Sequence, residues 1–255
     1  LLYALLAKES VALRAVYAAP FHNDRSSGPA DGMQKSFDEI HRVFERARMG
    51  DPPPVFKGSV NYLPGPGTAV ESPAARDLAE RARAMGDDDP PLYVAAIGAI
   101  TNIASAILLE PAVARRTVVV WLGGQPHEAS SAREFNLRQD QHAARVLFDS
   151  GVPLVQIPCA NVAEHLRTSE AEIDRYVRGR GAIGDYLADI VRDYNADGLT
   201  AWTKVIWDIS AIAWFVNPDW VPTALVPSPV LTRDCTYARP PQRHLMRVAL
   251  KVHRD

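Results

Sequence analysis

An open, mostly parallel β-sheet covered by helices on both faces is the α/β architecture this sequence predicts, and three observations predict it. Short apolar runs rich in β-branched residues alternate with stretches of helical spacing. The runs are near-continuous, as in Val118-Val119-Val120-Trp121-Leu122, which suits strands buried on both faces. Glycines follow two of them, Gly98 after Ile97 and Gly123-Gly124 after Leu122, marking turns at strand carboxyl ends, where open α/β sheets hold ligands.

Taken in order, Leu1–Ala7 is apolar but has no basic residue before it and no convincing cleavage site, so it does not read as a signal peptide. It reads as the tail of an amphipathic helix whose start is absent, and the chain is expected to be truncated at its N-terminus. Strands are expected at Val11–Ala19, Val55–Gly58, Leu92–Ile97, Thr117–Leu122 and Leu154–Pro158. Helices are expected at Asp31–Met49, Pro73–Met85, Thr101–Leu109, with Thr101 as its N-cap, and Gln139–Ser150. Beyond Cys159, Ser169–Tyr194 reads as one or two helices interrupted at Gly179–Gly181, and Val205–Val216 as another. Met246, Val248, Leu250 and Val252 alternate with polar or small residues, as on an edge strand or a small appended sheet. The proline- and glycine-rich breaks are turns rather than linkers, so residues 1–255 are expected to form one domain.

Bulk composition narrows the function classes. At 47% hydrophobic and 23% charged residues, the chain has an ordinary globular composition. A formal net charge of −2 gives no reason to expect nucleic acid or an anionic membrane surface, and no apolar run is long enough to span a bilayer. Two cysteines cannot build a disulfide framework; Cys159 reads as a buried small hydrophobe, and a reducing, cytoplasmic location is expected. Asp87-Asp88-Asp89 lies between a helix end and Pro90-Pro91, as a solvated turn would, and no dinucleotide or Walker fingerprint is present.

Four segments carry candidate chemistry. Ala96-Ile97-Gly98-Ala99-Ile100-Thr101-Asn102 is a strand–turn–helix joint. Glu134-Phe135-Asn136 places a carboxylate and an amide ten residues past the Gly-Gly strand end. Asp208 sits in Val205–Phe215, too apolar a run for an idle carboxylate, where it is also placed to cap the following helix; Trp207 beside it is also a candidate core residue packed on Trp214. Val16–Asn23 ends a strand in a loop bearing His22 and Asn23.

On these residues the chain resembles the nucleoside hydrolase family over nearly its whole length, most specifically between Gly98 and Asp208. The resemblance implies a Rossmann-like fold and a Ca²⁺ cofactor held in part by the Ile97 main-chain carbonyl and Asp208, hard oxygen donors of the kind that ion takes. It also implies that Glu134 and Asn136, one residue apart on extended chain, clamp a ribose, that Asn23 touches the sugar, and that Trp207 faces the departing base. Tryptophan there points toward purines, because stacking on an indole makes a ring nitrogen easier to protonate. His22 is a weak candidate for a general acid. The loop Gln125–Arg133 departs from the family pattern, with His127 and Glu128 where another asparagine is usual.

The implied reaction is hydrolysis of the N-glycosidic bond of a small-molecule ribonucleoside, in a protein commonly found as a homo-oligomer. In the family an aspartate cluster, which supplies most calcium ligands and the catalytic base, ends a first strand ahead of the helix continued as Leu1–Lys8. That strand is expected to be missing, leaving the chain as given weakly active or inactive. The alternative from another class is a nucleoside-binding or regulatory protein without catalysis.

Overall fold

The computed structural model describes residues 1–195 and 197–254. The chain starts with α1 (Leu2–Leu6) and β1 (Val16–Tyr17). It continues through α2 (Pro29–Arg46), β2 (Val55–Phe56) and α3 (Pro73–Ala84). Pro29 and Pro73 occupy first-turn positions, where a missing N–H costs nothing, and the Ser72 hydroxyl caps α3 by accepting from the Ala75 amide at 3.1 Å. Next come β3 (Leu92–Ala96), α4 (Thr101–Leu109), α5 (Ala112–Arg116) and β4 (Thr117–Leu122). Then follow α6 (Phe135–Gln139), α7 (Gln141–Asp149) and β5 (Leu154–Ile157).

The last third holds β6 (Arg167–Ser169), α8 (Glu170–Tyr176), started by a Ser169–Glu172 capping box, and α9 (Gly181–Asp193). It closes with β7 (Thr203–Val205), α10 (Ile209–Val216), β8 (Thr223–Pro227), β9 (Val230–Leu231), β10 (Tyr237–Ala238) and β11 (Leu245–Ala249).

The main sheet runs β3-β4-β5-β11-β8, with every pairing parallel except that of β11 with β8. β1 and β2 form a separate parallel pair, and β6–β7 and β10–β9 are small antiparallel pairs. Successive residues of a strand point to opposite faces. Val119 and Trp121 of β4 therefore enter one apolar cluster, with Leu78, Ile103 and Leu147 from α3, α4 and α7. Val120 and Leu122 enter a second, with Ala211 and Ala213 of α10. Both faces are covered, which is why β4 reads as an unbroken apolar run. No helix among the described residues is long and apolar enough to cross a membrane.

Several sequence expectations are corrected. The strand expected at Val11–Ala19 shrinks to Val16–Tyr17, and that at Val55–Gly58 to Val55–Phe56. The helix expected at Gln139–Ser150 is broken at Asp140, which ends one helix and caps the next. Val205 closes a strand, and the helix expected from it begins at Ile209. Thr101 is not the N-cap of α4; Ile100 holds that position, and the Thr101 hydroxyl donates to Asp140 at 2.8 Å. The period-two segment at Met246 is not an edge: β11 lies between β5 and β8, and β8 forms the border.

Candidate functional site

The registers Ala96↔Trp121 and Leu122↔Ile157 bring the ends of β3, β4 and β5 to one border of the sheet. Ile97, Gly123-Gly124 and Cys159 leave from that border. The Cys159 amide donates to the Gly124 carbonyl at 3.0 Å, so the turn after β4 is tied to the turn after β5. Gly124 has φ of +74°, and a Cβ there would come within 2.3 Å of the Tyr237 hydroxyl and 2.9 Å of Gln156 Nε2. Both conditions select glycine.

Gln156 of β5 supports this turn from below. Its Nε2 donates to the Gly123 carbonyl at 3.0 Å and to the Tyr237 hydroxyl at 3.1 Å. Its Oε1 lies 2.8 Å from His127 Nε2. Burial holds the His127 imidazole below its usual pKa and pushes the Tyr237 hydroxyl up, so both are neutral partners of an uncharged network.

Glu134 caps α6. Its Oε1 accepts from the Asn136 amide at 2.9 Å, and its Oε2 from the amides of Leu137 at 3.1 Å and Gly124 at 2.8 Å. The expected extended Glu134-Phe135-Asn136 strip is thus corrected: Phe135–Gln139 is a helical turn, because three backbone amides converge on one carboxylate. Asn136 is buried; its Nδ2 donates to the Leu122 carbonyl at 2.8 Å, leaving Oδ1 without a protein donor among the described residues.

Two buried side chains position the neighbouring loops. Asn102 Nδ2 donates to the Ala18 carbonyl at 2.9 Å while its Oδ1 accepts from the Ser59 amide at 2.8 Å, fastening the ends of β1 and β2 to α4. Asp140 Oδ2 accepts from the Leu63 amide at 2.9 Å as well as from Thr101, and Oδ1 from the Ala143 amide at 2.9 Å.

Asp208 stands at the N-cap position of α10, yet its side chain does not cap, and it makes no ion pair among the described residues. Its residue surface is exposed to solvent, although protein atoms are dense around the carboxylate. Burial raises its pKa above the ordinary value; Lys204 opposes the rise and Glu134 adds to it. Burial, then Glu134 and Asp208, pushes the Cys159 thiol up, so Cys159 is a neutral group beside both carboxylates. Glu134, Cys159 and Asp208 therefore share one electrostatic neighbourhood at the strand ends. α10 packs over β3 and β4, which brings Asp208 to the border that Ile97 leaves.

Trp207 is half-buried against the second apolar cluster. Trp214 packs against the same cluster, with Phe215 at 5.5 Å and Tyr93 at 6.5 Å as ring neighbours. His22 and Asn23 are exposed on the loop after β1. Gln139 clamps the His22 backbone on both sides, accepting from its amide at 2.8 Å and donating to its carbonyl at 3.1 Å. Asn23 Oδ1 accepts from the Arg25 amide at 2.9 Å, a local turn that leaves its Nδ2 for other partners.

The donor set does not amount to a calcium site. Among the described residues no group of three or more His, Cys, Asp or Glu side chains comes together to hold a metal. The Asp208 carboxylate and the Ile97 carbonyl fall well short of the six to eight oxygens Ca²⁺ takes, and Glu134 already serves three amides.

Residue reading missed Gln156, Gln139 and the place of the Cys159 thiol, and it singled out the turn that bears Asn102 without its clamping role. Cys159 carried a signal too, since it directly follows a strand carboxyl end.

A family model described as inosine-uridine preferring nucleoside hydrolase matches residues 9–255. A pyrimidine-specific ribonucleoside hydrolase, RihB of Escherichia coli O9:H4, is 29% identical over 143 residues, covering 53% of this chain and 45% of that protein. The chain spans about half the length of the curated relatives it matches, 58% for a RihB of Shigella boydii and 45% for that of Escherichia coli. Among solved structures, a plant nucleoside hydrolase, PpNRh1, superposes with a TM-score of 0.76 at 16% identity, over 99% of this chain and 90% of that one. A purine-preferring ribonucleoside hydrolase from Gardnerella vaginalis gives 0.72 at 19% identity, over 98% and 89%. At these identities the superpositions speak for the fold.

Proposed function

Because the chain belongs to the inosine-uridine preferring nucleoside hydrolase family, we propose that its protein cleaves the N-glycosidic bond of ribonucleosides with water, releasing base and ribose. Glu134, Asn136, Trp207 and Asp208 are this chain's share of the pocket in that reading. Asp208 carries it: a carboxylate with no hydrogen-bond partner among the described residues, crowded enough to hold its proton more tightly than usual, beside Glu134. A ribose hydroxyl supplies the donor that Asp208 lacks, and the open Asn136 Oδ1 accepts from a second. As the base leaves, positive charge grows on the sugar, and the two carboxylates stabilise it electrostatically.

Trp207 supports a purine preference, since its indole offers a stacking face to the larger ring system. Asn23 is assigned a sugar contact through its free Nδ2, and His22 a proton donation to the departing base, from a loop fastened at Gln139. Two free, buried thiols suit a reducing compartment such as the cytoplasm.

The second reading is nucleoside binding without cleavage, favoured by the short donor set around Asp208. Calorimetric titration with inosine, adenosine and uridine, each with and without CaCl₂, is read alongside chromatography of released base. Saturable binding that Asn136→Ala and Asp208→Asn each weaken by about tenfold, the worth of one hydrogen bond to a charged or buried group, is the expected result. Affinity unchanged in both variants sinks the pocket. Binding without base release, with or without calcium, selects the second reading, and uridine outrunning the purines overturns the role given to Trp207.

A further inference from the structure

A shallow, open cleft of about 440 Å³ lies beside the junction of α6 and α7, and Arg138, His142, Arg145 and Arg233 stand on its wall. None of Glu134, Asn136, Trp207 or Asp208 lines it. Among the described residues, none of the three arginines has a carboxylate within ion-pair distance, whereas ten other arginines do. Arg145 is held instead by neutral acceptors, the carbonyls of Leu231 at 3.0 Å and Thr232 at 2.8 Å, which fix its guanidinium without cancelling the charge. Arg138 lies over the Phe135 ring, 5.7 Å from its centroid. In a chain of net charge −2, this concentration of uncompensated positive charge in a concave place is not an average surface.

The one carboxylate in the wall is turned away from the opening. Asp140 is only 3% exposed, and its oxygens serve Leu63, Thr101 and Ala143. α7 starts at this wall, and the amides of Gln141 and His142, its first two, have no acceptor among the described residues. Unpaired amides at a helix start attract anions, and guanidinium forks match phosphate oxygens in pairs. Tyr62 and Leu63 add an apolar side, and burial pushes the Tyr62 phenol up to about 12, so it is a neutral hydroxyl in the physiological range. The volume falls within that of small-molecule sites, roughly 300–1,000 Å³.

We propose that this cleft is a binding site for a small phosphate-bearing anion, separate from the ribonucleoside pocket and independent of that assignment. Pyrophosphate is the probe, titrated calorimetrically into the protein with ionic strength held constant by KCl. Saturable binding at one site per chain is expected. The double variant Arg138→Glu/Arg233→Glu, which alters only exposed residues, should weaken it at least tenfold. The charge-matched control Arg14→Glu/Arg175→Glu, on exposed positions away from the cleft, should retain it. No saturable binding to the unaltered protein, equal loss in the control, or undiminished binding in the cleft variant would each overturn the proposal. Inosine titration of the same variants keeps the two sites apart, because loss of pyrophosphate with inosine affinity intact concerns this cleft alone.

Discussion

Gly124→Ala should cost far more stability than an ordinary glycine substitution, and Gly151→Ala shows how much more. Both glycines lie in the left-handed region, at φ of +74° and +75°. An alanine at either carries a conformational penalty of about 1–2 kcal/mol. They differ in their surroundings. A Cβ at Gly151 meets nothing within 4 Å, whereas at Gly124 it lands 2.3 Å from the Tyr237 hydroxyl, 2.9 Å from Gln156 Nε2 and 3.0 Å from Leu137 Cδ1. The Tyr237 hydroxyl cannot retreat freely, because it is bonded to Gln156, which is itself bonded to Gly123 and His127. Overpacking of this kind adds about 1–3 kcal/mol. The expected losses are therefore about 1–2 kcal/mol for Gly151→Ala and about 2–5 kcal/mol for Gly124→Ala, read from urea midpoints at unchanged slope. Inosine affinity should fall only in the second, since the Gly124 amide is one of the three that Glu134 holds. Equal losses for the two variants would refute the claim that the Gln156–Tyr237 network walls in the turn.

Asn102→Ala should lower stability by about 2 kcal/mol or more, because a buried carbonyl of Ala18 and amide of Ser59 lose their partner together; urea unfolding checks it, and a loss below about 0.5 kcal/mol contradicts the clamp. Asp208 gives a pH signature. Its folded pKa is raised above the ordinary 3.8, so its contribution to stability is full below that value and is lost as pH rises through the folded pKa. Unfolding free energy measured from acid toward neutral pH should decline in the unaltered chain relative to Asp208→Asn, which removes that titration; parallel curves would deny the crowding around the carboxylate.

The strands that bear the site were legible in the residues, and the reason is burial on both faces. Thr117–Leu122 and Leu154–Pro158 read as strands because both faces of each are packed, so apolar residues dominate them; the one polar residue inside β5, Gln156, is fully buried and bonded to Gly123, Tyr237 and His127. β11 misled for the complementary reason. Its period-two pattern suggests a wet face and an edge, but β8 lies alongside it, bounded by Pro222 and Pro227 and with too little pattern of its own to announce a strand. Glu134-Phe135-Asn136 drew attention as a polar cluster past a Gly-Gly turn. Its conformation was out of reach, since a five-residue helix has no periodicity to read, and the amides that converge on Glu134 include Gly124, ten positions back.

By itself, the sequence determined the layered α/β plan and the strand ends that turn at Gly98 and at Gly123-Gly124. Those follow from local propensity and apolar spacing, which neighbouring residues settle among themselves. Only the tertiary structure decided that Asn102 spans loops 43 and 84 positions away, that Asp208 has no partner among the described residues, and that three arginines crowd one cleft. Each of those depends on which distant backbone groups and charges the packing brings within hydrogen-bond or Coulomb range, and no spacing along the chain encodes that.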